Sequence, residues 1–248
     1  MPDTDLRYVE YNGSRLAYRL REGRSPTLLF LPGYASDMDG TKALALDAFA
    51  EERGLSMLRF DYSGTGSSEG EFEDGKLGGW LDEALHLLDT LIEGPVMLAG
   101  SSMGGWLALL MAKHRPGRVA ALVGIAAAPD FTDWGYSDRE TRNLREEGRI
   151  EQPNPYGPEP QVTTFGFWES GESLRLLHQP IAVECPVRLV HGDADNDVPV
   201  SVAVKTMRQL RSADVQLLVV KGGDHRLSAP RQIDAILRTV AGLLETIA

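Results

Sequence analysis

The chain has 248 residues, enough for one sizeable core, and its 42% hydrophobic and 25% charged content is that of a globular protein. A formal net charge of -11 argues against nucleic acid or an anionic membrane surface as partner, because phosphate binding depends on clustered Lys and Arg. The single cysteine, Cys185, excludes an internal disulfide, and no apolar run approaches the roughly 18 residues of a membrane span.

The elements follow in order. Alternating stretches at 7–11 and 15–21 flank Asn12-Gly13, a dipeptide suited to the positive φ angles of a type I′ turn, so the chain opens on a hairpin. Residues 26–31 form a nearly continuous apolar run that stops at Pro32-Gly33, the pattern of a strand covered on both faces. A helix over 41–53 ends at Gly54, and a strand over 55–60 follows. The loop Asp61-Tyr62-Ser63-Gly64-Thr65-Gly66-Ser67-Ser68 lacks the Lys-Ser/Thr ending and the third glycine of phosphate-binding fingerprints, so it is read as a tight connection. An amphipathic helix spans 77–92 with Trp80, Leu81, Ala84, Leu87, Leu88 and Leu91 on one side.

Pro95-Val96-Met97-Leu98-Ala99 then reads as a strand, Gly100-Ser101-Ser102-Met103-Gly104 as a sharp turn, and 107–114 as a helix. Another buried strand covers 119–125. The rhythm breaks between Pro129 and Pro186, a stretch holding Phe131, Trp134, Tyr136, a charged helical piece at 138–147, a proline-rich run at 152–160, and Phe165, Phe167 and Trp168. So long a stretch is expected to be a lid, and 129–185 is read as a cap inserted into a single domain of 1–248. Phe131 and Trp134, just past a strand end, and Trp106, on the helix behind the serine, are the expected substrate contacts. A strand at 187–191 with Cys185 packed ahead of it, a helix at 200–211, a strand at 215–220 and a helix at 233–247 complete the chain. Strand and helix alternate, which predicts a mostly parallel, doubly wound eight-stranded sheet with helices on both faces.

A serine hydroxyl needs a base within hydrogen-bond reach, and the base needs an orienting carboxylate. Of the five histidines, His86 and His114 fall in helices, His178 in the cap and His191 at a strand end. His225, in the glycine loop after the last strand, is the expected base for Ser102, because functional groups of a parallel sheet gather at its C-terminal edge. Asp195 is the expected acid from the pattern Gly192-x-x-Asp195-x-x-Val198-Pro199, with Asp193 and Asp197 left to bond the loop backbone or cap the next helix. Backbone amides of Met103 and Tyr34 are the expected oxyanion donors, the first directly after the nucleophile and the second beside Gly33.

Gly100-Ser101-Ser102-Met103-Gly104, Leu31-Pro32-Gly33-Tyr34, the run from His191 to Pro199 and Gly223-Asp224-His225 together resemble the α/β-hydrolase superfamily over nearly the whole chain. More narrowly, the runs from Gly33 to Ala43 and from Arg59 to Ser68, with Gly104-Gly105-Trp106, resemble its branch of palmitoyl-protein thioesterases and acyl-glucuronide esterases. The resemblance implies a Ser-Asp-His hydrolase of acyl esters or thioesters, on small molecules or acylated proteins, with no metal or cofactor. A non-catalytic binding protein on the same fold, a peptidase and a carbon-carbon bond hydrolase are the alternatives. Residues 1–5 show no basic region followed by an apolar run and no Arg-rich transit segment, so the expected location is cytoplasmic.

Overall fold

A computed structural model of the chain describes residues 4–154, 157–158 and 160–247. The opening hairpin joins β1 (Arg7–Tyr11) to β2 (Ser14–Arg21), with Asn12 and Gly13 at φ 49° and 83°, as a type I′ turn requires. Then come β3 (Arg24–Leu31), α1 (Thr41–Arg53), β4 (Leu55–Phe60), α2 (Leu77–Leu91), β5 (Val96–Ser101), α3 (Met103–His114) and β6 (Val119–Ile125). The second half holds α4 (Phe131–Trp134), α5 (Asp138–Glu147), β7 (Arg149–Gln152), β8 (Gln161–Thr164), α6 (Phe165–Ser173), β9 (Val187–Gly192), α7 (Val200–Gln209), β10 (Val215–Val220) and α8 (Pro230–Ile247).

Eight strands form one sheet in the order β1-β2-β4-β3-β5-β6-β9-β10. The pairings β1–β2 and β2–β4 are antiparallel and the other five are parallel. Strand order turns back on itself at β3, which lies between β4 and β5, and such a switch point opens a crevice beyond the strand ends. One face is covered by α1 and α8, where Ala43, Leu46 and Phe49 meet Ile236, Val240 and Leu243. The other carries α2, α3 and α7, with Trp80, Leu88, Trp106, Leu110 and Val202 in one continuous core. Cys185 packs half-buried against this second core, and burial pushes its thiol up to about 11.

The β6–β9 connection is more regular than its sequence pattern suggests. Beyond the expected helix α5, it contains the one-turn helix α4, the two-stranded antiparallel sheet β7–β8 and the helix α6. Strands of four residues and a single helical turn are too short for hydrophobic periodicity to register. A capping box starts α5, in which the Ser137 hydroxyl accepts from the Glu140 amide while Glu140 Oε2 accepts from the Ser137 amide at 2.8 Å. Within the proline-rich run, Pro155, Tyr156 and Glu159 lie outside the described residues.

Candidate active site

Ser102 stands between β5 and α3 at φ 53°, ψ -118°, a conformation that costs a residue with a Cβ energy and persists only where the surroundings hold it. They hold it from three sides. The Ser102 amide donates to Ile125 O at 3.0 Å, and its carbonyl accepts from the amides of Gly105 at 2.9 Å and Ala128 at 3.1 Å. Gly100 and Gly104 let α3 lie this close: a Cβ on Gly100 would meet Gly104 O at 2.2 Å, and one on Gly104 would meet Leu31 O at 2.0 Å. The helix therefore begins at Met103, immediately after the serine, four residues earlier than its apolar pattern shows. As its first residue, Met103 keeps an amide with no acceptor inside the helix.

The loops after β9 and β10 bring two further side chains to this turn. His225 Nε2 lies 3.0 Å from Ser102 Oγ, and His225 Nδ1 lies 2.9 Å from Asp195 Oδ2. A carboxylate can only accept, so Nδ1 carries the proton and Nε2 is left to accept from the serine hydroxyl. The Asp195 side chain is wholly buried, and its Oδ1 accepts from the amides of Val198 at 2.8 Å and Asp197 at 3.0 Å. Burial pushes this carboxyl up, yet the bonds from His225, Val198 and Asp197 outweigh it and hold the group below the ordinary carboxylate range. His191, buried beneath the loop, bonds Val198 O through Nε2 at 2.8 Å and so fixes the segment that carries the acid. Asp193 ties the two loops together by accepting from the Gly222 amide. Asp195, Asp197 and His225 are also the one trio of ligand-type atoms close enough for a cation among the described residues, but a cation there would compete with the Asp195–His225 bond.

The loop after β3 faces the serine. A Cβ on Gly33 would stand 3.4 Å from Ser102 Cβ, so this loop lies against the nucleophile and the next residue is Tyr34. Its far end is clamped to the sheet, where the Met38 amide donates to Asp61 Oδ1 at 2.7 Å and Arg59 donates to Met38 O at 2.9 Å. Asp61 Oδ2 accepts from the Ser67 amide at 2.8 Å, and Glu83 accepts from both the amide and the hydroxyl of Ser63. Amides of the glycine-rich loop are thus spent on buried carboxylates, which is the physical reason it is no phosphate cradle.

Above the loop, Tyr34, Phe72, Phe131 and Phe167 form an aromatic cluster, with Tyr34 ring centroids 5.0 Å from Phe72, 4.7 Å from Phe167 and 6.1 Å from Phe131. Trp106 backs this cluster at 5.8 Å from Phe131; it is fully buried and donates its indole N–H to Leu174 O at 3.3 Å. Trp134 donates to Pro129 O at 2.9 Å and has no ring partner among the described residues. Of the three expected substrate contacts, the structure brings Phe131 to the cluster, puts Trp106 behind it and leaves Trp134 apart. Phe72 and Phe167 escape sequence reasoning because they come from distant segments with no shared period, Phe72 from a short helical turn and Phe167 from α6; the density of aromatics at 165–168 was the available signal.

A parallel sheet with a switch point, a serine turn after β5, a buried acid after β9 and a histidine after β10 define an α/β hydrolase. The profile of the prolyl oligopeptidase family matches residues 48–247. Human "palmitoyl-protein thioesterase ABHD10, mitochondrial" is 38% identical over 236 residues, 94% of this chain and 77% of that protein. The structure of mouse alpha/beta hydrolase domain-containing protein 10 aligns with a TM-score of 0.93 at 35% identity, covering 99% of this chain and 100% of that one. A crystal structure from Agrobacterium vitis S4 aligns with a TM-score of 0.91 at 39% identity, covering 98% and 99%. The chain belongs to the α/β-hydrolase family of these ABHD10 proteins, and it is a hydrolase. The mammalian relatives carry a mitochondrial location in their names, which overturns the cytoplasmic location expected above. Net charge and apolar content do not encode an address. No helix among the described residues is long and apolar enough to cross a membrane.

Proposed function

We propose that the chain is a serine thioesterase or esterase that works through an acyl-enzyme on Ser102. The carrying observation is the unbroken hydrogen-bonded chain from Ser102 Oγ through His225 to the buried Asp195. Ser102 Oγ attacks the acyl carbon while its proton passes to His225 Nε2, and Asp195 balances the imidazolium that forms. The oxygen that gains charge is held by the amides of Met103 and Tyr34, each such donor being worth about 3 to 4 kcal/mol in the transition state. His225 then returns the proton to the leaving thiol or alcohol, and water, deprotonated by the same imidazole, releases the acid. Residues 129–185 serve as the cap, and its Phe131 and Phe167, packed on Tyr34, offer an apolar wall to an acyl chain. The names of the relatives add the substrate class, a palmitoyl thioester on a protein.

A fluorophosphonate probe should label the protein, and Ser102→Ala should abolish both label and hydrolysis. Labelling that persists in Ser102→Ala would sink the assignment. His225→Ala should likewise abolish hydrolysis, and a retained rate would remove it as the base. The profile match favours a second reading, peptide-bond cleavage. Rates on acyl thioesters of rising chain length, acyl-glucuronides and a prolyl peptide, measured side by side, decide between them.

A further inference from the structure

The loop carrying the Tyr34 amide is fixed to the body at its ends but not in its middle. Tyr62 donates to Pro32 O at 3.4 Å on one side, and Asp61 and Arg59 grip Met38 on the other. Between these anchors Ala35 sits at φ 52°, a left-handed conformation that a residue with a Cβ disfavours, so the middle of the loop is held against its own preference. The hydrogen bond that reaches this middle from another element comes from the cap. Tyr34 Oη donates to Val162 O on β8 at 2.8 Å, across 128 residues of sequence. Its ring is wedged between Phe72 and Trp80 of the body and Phe131 and Phe167 of the cap. Burial raises the phenol well above its ordinary range, which keeps it a donor.

The geometry points to Tyr34 as a positioning residue that couples seating of the cap to the oxyanion site: its side chain is anchored in β8 while its own backbone amide is aimed beside Ser102. The inference rests on the reading of Tyr34 N–H as an oxyanion donor. When β8 is in place, the phenol bond and the ring contacts hold the strained turn and the amide points at the reacting oxygen. When β8 lifts, the loop relaxes at Ala35 and the amide loses its aim. Cap closure over an acyl group would therefore complete the catalytic constellation, a link between substrate occupancy and rate that needs no movement of the triad.

Tyr34→Phe keeps the ring and removes the bond to Val162. Ser170→Ala is the matched control, because Ser170 Oγ on α6 accepts from the Gly78 amide at 2.9 Å and so removes a cap-to-body bond that does not touch the loop. With an acyl thioester as substrate, Tyr34→Phe should lower kcat about tenfold with KM within twofold, and slow fluorophosphonate labelling in parallel, since an oxyanion donor acts in the transition state. Ser170→Ala should leave kcat within twofold. Unchanged kcat in Tyr34→Phe, or equal losses in both variants, would overturn the coupling. If Ser102→Ala retains full activity the catalytic reading itself has failed, whereas a dead Ser102→Ala beside a silent Tyr34→Phe rejects the coupling alone. A thermal unfolding midpoint for Tyr34→Phe within a few degrees of the parent shows that the kcat change is not loss of folded protein.

Discussion

The turn at Ser102 and the β6–β9 insertion are held in opposite ways. At the turn, backbone meets backbone: Gly100 approaches Gly104 and Gly104 approaches Leu31, with no room for a Cβ at either. In the insertion, side chains do the joining, through the aromatic cluster, the Ser137 cap, the Arg149–Glu73 ion pair and the carboxylate of Asp130. Asp130 stands at φ 58° where the insertion departs, and its two oxygens accept from the amides of Leu176 and Leu177, both at 2.7 Å, where it returns. Backbone contacts tolerate no substitution, whereas side-chain contacts can be exchanged one at a time. Under the proposed function, the chemistry sits in the part that cannot vary, and the choice of substrate in the part that can.

The largest effect that sharpens this contrast is chemical. Asp195→Asn should lower kcat by about three to four orders of magnitude while leaving the fold intact, because the amide favours the wrong imidazole tautomer; an unchanged rate would show that another acid serves His225. Next comes a paired glycine test read by urea unfolding. Gly104→Ala places a methyl 2.0 Å from Leu31 O and should cost about 3 kcal/mol, whereas Gly148→Ala, at φ 80° with open space around it, should cost about 1 kcal/mol from backbone strain alone. Equal costs would erase the distinction between the two regions.

The pH dependence of stability should separate them by sign. Asp195 is held below the ordinary carboxylate range, so the unfolded chain binds its proton more tightly; its contribution is present above the ordinary value and is lost as pH falls through the lower folded one. Asp130 is raised, burial outweighing the bonds from Leu177 and Leu176, so the folded chain binds its proton more tightly and the penalty of its charge shrinks as pH falls toward the ordinary value. Urea midpoints across the acid range should therefore show the parent losing ground to Asp195→Asn and gaining on Asp130→Asn as pH drops. Shifts of the same sign would contradict it. The smallest effect is expected at Arg149, whose pairs with Glu73 and Glu151 are about half exposed: Arg149→Ala should leave the urea midpoint where the parent has it.

The same division explains what the sequence reveals. Strand β6, strand β10 and helix α1 coincide with their apolar patterns, and β4 is bounded as expected, because each is set by residues within a few positions of one another. Ser102, Asp195 and His225 are recognisable for a related reason: each is flanked by glycines or turn residues that a sharp strand-end loop demands. The insertion hides its order because its contacts are distant. Tyr34 meets Phe167, and Asp130 meets Leu177, through space that no local pattern encodes. The phenol of Tyr34 is the clearest case, since the sequence points to its backbone amide and gives no sign that its side chain reaches β8.

The neighbouring position of β6 and β9 has one more consequence. They pair in parallel, with Ile125 beside Val190, so the chain must cross from the end of one to the start of the other by some route whatever its length. Because the entropy of closing such a route grows only with the logarithm of its length, doubling it adds about 0.6 kcal/mol. The crossing from β6 to β9 is therefore the place where a chain of this architecture can gain or lose tens of residues at almost no cost to the sheet, which makes it the natural site for grafting a different specificity onto an unchanged catalytic engine.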